Sequence, residues 1–87
     1  MNTVYRIYTE DFNRSKIIRL ASKTFDSFTL QPTTGFYRGK PEKSIVLEIV
    51  EAQQSEVTAL ANAIRRLNGQ KSVLIMGLTG KVKRVKR

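Results

Sequence analysis

The densest chemistry in the chain lies between Gly35 and Lys43, where Phe36, Tyr37, Arg38, Gly39 and Lys40 follow one another. A guanidinium grips a phosphate through two parallel N–H bonds, an ammonium adds a point charge, and an aromatic ring stacks on a base. Glycines let the backbone approach an anion closely. Tyr37, Arg38, Lys40 and Lys43 are therefore candidate nucleic-acid- or anion-binding residues. Neither GxxxxGK[ST] nor GxGxxG is present, so the stretch reads as a binding loop without a specified ligand. An ordinary hairpin whose aromatics pack on the end of a sheet has the same composition. The second cluster is the run KVKRVKR at positions 81–87, with Lys81, Lys83, Arg84, Lys86 and Arg87. Phosphate contacts from such a tail release counterions, so binding would weaken steeply with salt. A solvated terminus has the same appearance.

Catalytic chemistry has little support. The sequence contains no cysteine and no histidine. That excludes disulfides, thiolate metal sites, a cysteine nucleophile and the usual general base near neutral pH. The carboxylates Glu10, Asp11, Asp26, Glu42, Glu48, Glu51 and Glu56 are scattered without metal-like spacing. Glu48, set among valines, would be costly to bury unpaired, and Arg6 on a neighbouring strand is its expected partner. The expectation is a non-enzymatic protein without a cofactor.

The formal charge is +9, and five of those charges belong to the tail. A balance this basic favours an anionic partner. Eighty-seven residues make one domain, residues 1–80, followed by a basic tail, residues 81–87. No secretory pattern opens the chain, and no apolar run approaches the ~20 residues of a membrane span. The expected setting is cytoplasmic, with no membrane partner.

The elements that must position these residues are legible from periodicity. Residues 43–51, KSIVLEIVE, alternate as a central strand, with Ile45, Leu47 and Ile49 on one side and Val46, Glu48 and Val50 on the other. Residues 3–9 read as a first strand, and residues 14–25 as a helix with an apolar stripe of Ile17, Leu20, Ala21 and Thr24, widened by Ile18 and Phe25. Lys16, Arg19 and Lys23 lie along a different side of that helix, as a phosphate-tracking row or simply a wet face. Asp11 or Asn13 is its expected cap. A second strand begins at Phe28. It either runs on through Phe36 or gives way to a protruding loop over residues 33–42. Ser55 is expected to cap a second helix, residues 57–67, which stops at Asn68-Gly69. The last strand, residues 71–78, is apolar on both faces as an inner strand would be, and Gly77 marks a bulge or a close backbone approach.

The order is β-α-β-β-α-β, which predicts an α+β, ferredoxin-like two-layer sandwich: a four-stranded antiparallel sheet with both helices on one face. The second and fourth strands are expected at the edges. The sheet's other face must meet water, a ligand or another subunit. In strand order and in its GFYRGKP segment the chain resembles the small PII- and CutA-like proteins. That resemblance implies assembly of three chains through the open sheet face, with partner contacts from the segment between strands two and three. In size and charge the chain also resembles phage or mobile-element proteins that block host factors. An RNA-recognition motif shares the strand order, but only Tyr5 and Tyr8 are offered on strand one, strand three has no aromatic, and the signature sequence is missing.

The leading expectation is a homo-oligomer that binds nucleic acid through the basic-aromatic loop and tail. The alternative is an oligomeric sensor of a phosphorylated small ligand, or an anti-defence inhibitor that sequesters a signalling nucleotide or blocks a host nuclease.

Overall fold

Alternation of apolar and polar residues makes a chain extend, because only then can one set leave water together. In the computed structural model, which describes residues 2–80, the element order is β1 (Asn2–Glu10), α1 (Arg14–Thr24), β2 (Thr29–Tyr37), β3 (Lys40–Val50), α2 (Gln54–Asn68) and β4 (Leu74–Gly80). The sheet order is β2-β3-β1-β4, and every pairing is antiparallel. This is the expected ferredoxin-like sandwich. Ile45, Leu47 and Ile49 of β3 and Ile7 of β1 are buried beneath both helices. Ile17 and Ala21 of α1, and Val57, Leu60, Ala61 and Ile64 of α2, close over them.

Several local expectations change once the layers pack. Ile18 and Thr24 face water, so the stripe of α1 is narrower than its periodicity allows. Phe25 leaves the helix in an extended conformation and buries its ring beyond the helix end. Neither predicted side chain caps α1. Asn13 holds the N-cap position in the left-handed region (φ 58°), but its amide donates to Asn68 Oδ1 at 3.1 Å. Asp11 instead accepts from Arg14. Ser55 lies inside α2, whose N-cap is Gln53. The helix stop is as expected: Gly69 adopts φ 65°, and its N–H returns to the carbonyls of Arg65 and Arg66.

β4 is an edge strand despite its apolar character on both faces. Val73 and Ile75 pack toward the helices, while Leu74, Met76 and Leu78 stand exposed on the other face. Gly77 marks a close approach. It pairs across from Tyr5, and a Cβ added there would sit 3.1 Å from Tyr5 Cε1. Pro32 is tolerated because β2 is the opposite edge and has only β3 as a neighbour.

Candidate functional site: the β2–β3 ribbon and the bare sheet face

Of the two shapes the sequence allows for residues 28–42, the long strand prevails. The ladder between β2 and β3 continues to Tyr37↔Lys40, which leaves only Arg38 and Gly39 in the turn. Both have positive φ, 50° and 77°, as a two-residue type I′ hairpin requires. The segment over residues 33–42 is thus a paired ribbon. Thr33, Thr34, Phe36 and Tyr37 are residue types that suit an extended chain, and Gly39 supplies half of the turn. From Thr34 out to Lys43 no residue is buried; Phe36 is 72% exposed. The ribbon therefore stands clear of the helical layer.

Strand alternation divides the candidate residues. Tyr37 and Lys40 continue the row of the open sheet face, whereas Lys43 belongs to the helix-side row with Phe36 and Pro41. At the tip, the Arg38 guanidinium lies 5.2 Å from the centroid of the Tyr37 ring, within cation–π range. Tyr37, Arg38 and Lys40 are brought together there. Lys43 lies at the foot of the ribbon, in a cleft lined by Asp11, Arg14, Pro32, Thr33 and Thr34. The tail residues Lys81, Lys83, Arg84, Lys86 and Arg87 lie outside the described residues.

Sequence reasoning missed Arg14 as part of this cleft. Its only signal was a position three residues after Asp11, just where α1 begins. Arg14 Nη2 donates to Asp11 Oδ2 at 2.6 Å and Nε donates to Oδ1 at 3.1 Å. Asp11 takes two of the five guanidinium donors and leaves the rest for a ligand. The hydrogen bonds from Arg14 hold the Asp11 carboxyl below its ordinary range, and the positive charges of Arg14 and Lys43 add to the effect. The same carboxylate raises the Arg14 pKa. The Asp11 N–H donates to the Lys43 carbonyl at 3.3 Å, which ties the β1–α1 connection to the foot of the ribbon. Among the described residues Lys43 makes no ion pair. The cleft therefore carries two cations against one carboxylate.

The bare sheet face is the second surface. Arg6 and Glu48 lie opposite one another on β1 and β3, and Arg6 Nε meets Glu48 Oε2 at 2.8 Å. This is the expected structural pair. Glu48 raises the Arg6 pKa through that bond, and Tyr8 adds to it. Toward β4 the face is apolar, with Val50, Leu74, Met76 and Leu78 all more than a third exposed, whereas toward β2 it is polar, with Thr29, Gln31 and Thr33 lining a hollow beside the pair. Tyr5 points instead to the helix side, among the groups packed on the core. Only Tyr8 is left on the sheet platform that an RNA-recognition motif would need on strand one.

No protein-family model matches the sequence, and no characterised protein sequence matches it. Solved structures do match, at low identity. A DUF3240 family protein from Shewanella baltica OS155 superposes with a TM-score of 0.75 at 12% identity, covering 99% of this chain and 97% of that one. A phage SAM lyase in complex with S-methyl-5′-thioadenosine gives 0.69 at 16% identity, covering 88% and 80%. CPII, a nitrogen regulatory PII-like protein from Thiomonas intermedia K12 bound to ADP, AMP and bicarbonate, gives 0.68 at 13% identity, covering 98% and 96%. CutA proteins also match. The chain thus has the fold of the PII- and CutA-like proteins. At these identities the likeness is one of fold, and function has to be argued from the site.

Proposed function

We propose that this chain is a non-enzymatic, cytoplasmic binding protein that self-associates through its bare sheet face and holds a phosphate-bearing small ligand, a nucleotide first, at the foot of its ribbon. The observation that carries the reading is the cleft in which Lys43 and Arg14 converge with one carboxylate between them. The Arg14 fork offers parallel donors, and Lys43 adds a charge that no acid in the described chain neutralises. Tyr37 and Arg38 stand at the far end of the ribbon, with Tyr37 on its other face, and take no part in this cleft. One of the fold's neighbours holds ADP and AMP, which is why a nucleotide ranks first. Self-association follows from Leu74, Met76 and Leu78, whose exposure a second copy would remove while the Arg6–Glu48 pair brings no net charge into the contact.

A ligand that binds only the folded chain stabilises it, by about 2.7 kcal/mol at a hundredfold excess over Kd, and so raises its melting temperature. ATP, ADP, AMP, S-methyl-5′-thioadenosine and inorganic phosphate are each titrated into the protein in a thermal-shift assay and by calorimetry. A shift with at least one nucleotide, lost in Lys43→Ala, is expected. No shift with any of them sinks the nucleotide reading.

Nucleic acid is the second reading, favoured by the five cations of residues 81–87 and by the stacked Arg38–Tyr37 tip. It predicts oligonucleotide binding whose logarithm falls with that of the salt concentration, by roughly 0.7 to 0.9 per phosphate contacted. Removal of residues 81–87 should lower that slope.

A further inference from the structure

The outer face of the helical layer carries a feature that neither the ribbon nor the sheet face uses. α1 contains no acidic residue, and Lys16, Arg19 and Lys23 recur along one of its sides. Among the described residues none of the three lies within ion-pair distance of a carboxylate. They do not stand on a featureless wet surface. Two hollows adjoin between α1 and α2. One is lined by the three cations with Leu20 and Leu67, and the other by Leu20, Lys23, Thr24, Ala59, Leu60 and Ala63. Because Leu20 and Lys23 belong to both, the hollows form one trough. Ala59 and Ala63, one helical turn apart on α2, are too small to fill it.

We infer that this trough is a docking surface for an acidic amphipathic helix of a partner protein. Charge complementarity selects the partner: three cations form one wall, and among the described residues they make no ion pair and no carboxylate lines either hollow. The floor selects a helix over a nucleic acid. Leucines and alanines offer a sugar-phosphate backbone neither donors nor a stacking ring, but they receive an apolar ridge at i, i+3, i+4 and i+7. The scale fits as well. Lys16 to Lys23 spans about 10 Å along α1, two turns, so carboxylates on successive turns of a partner helix would meet the row. The trough lies on the opposite side of the molecule from the bare sheet. It therefore stays open when copies associate through the sheet, and the inference stands apart from the nucleotide reading.

The test uses the full-length protein and a fluorescein-labelled helical peptide of about 18 residues, with leucines at i, i+3, i+4 and i+7 and glutamates flanking them. A scrambled peptide of the same composition and a single-stranded oligonucleotide serve as comparators. Arg19→Glu/Lys23→Glu reverses the wall, and Ala59→Trp fills the trough from an exposed position without changing its charge. Melting curves establish that both variants fold. The expected result is that the amphipathic peptide binds more tightly than the scrambled one, and that each variant weakens it at least about tenfold. A peptide with lysines in place of glutamates should recover binding to the charge-reversed variant. Equal binding of the two peptides overturns the inference. So does a peptide affinity that Ala59→Trp leaves unchanged, and so does a surface on which only oligonucleotide binding responds to the charge reversal.

Discussion

The Arg38–Gly39 turn offers a direct way to separate stability from recognition. A type I′ turn needs positive φ at both central residues, and Asn-Gly is its preferred pair. Here arginine holds the first position at φ 50°. A side chain other than Gly or Asn costs roughly 1–2 kcal/mol in that region, and Asn relieves most of it. Replacing Arg38 by Asn also removes the stacking on Tyr37, worth about 0.5–1 kcal/mol at an exposed site. The first effect outweighs the second, so Arg38→Asn should stabilise the protein by about 0.5 kcal/mol, or roughly 2–4 °C in Tm for a domain of this size. If Arg38 contacts the ligand, the same change should weaken binding. Urea and thermal melts read the first quantity, and calorimetry with the best nucleotide or oligonucleotide reads the second. Tyr37→Leu, which removes the ring but not the turn strain, should be less stable than wild type. A lower Tm for Arg38→Asn would show that the turn is not strained as argued. A higher Tm with unchanged affinity would show that the arginine at the tip plays no part in binding.

Three further outcomes follow from the same geometry. Met76→Lys or Leu74→Lys places a charge in the apolar sheet face and should turn an assembled protein into monomers by light scattering. A wild type that is monomeric at every concentration would refute association through that face. Gly77→Ala should destabilise by about 1 kcal/mol, because the new Cβ crowds the Tyr5 ring at 3.1 Å, and Tyr5→Leu in the same chain should recover part of the loss in a double-mutant cycle. The Arg14 guanidinium keeps Asp11 ionised in the folded chain to lower pH than in the unfolded one. The stabilisation from that pair is complete above the ordinary carboxylate pKa, near 3.8, and is lost as pH falls through the depressed folded value. The Tm difference between wild type and Asp11→Asn should therefore shrink below about pH 4 and be constant above pH 6, where both states hold the carboxylate ionised.

The order of elements, the antiparallel sheet and the two edge strands were all legible in the chain itself, because periods of two and of three to four residues state which side chains must leave water together. Ile45, Leu47 and Ile49 announced β3, and Val57, Leu60, Ala61 and Ile64 announced α2. Arg6 and Glu48 were recognisable as partners for the same reason: a carboxylate among valines needs a cation, and the strand order placed one beside it. Tertiary structure alone decided how the residues between Thr33 and Glu42 behave. Composition left a long strand and a protruding loop both open, and pairing with a long β3 decides between them, since it satisfies their backbone groups and positive φ at two residues suffices to reverse the chain. Register then divided the basic residues, sending Lys40 with Tyr37 to one face and Lys43 to the other, where Arg14 waits at the start of a helix remote in sequence. Periodicity states which residues share a face of one element. It cannot state which faces of different elements meet, and the cleft at Lys43 and the trough between the helices exist only where they do.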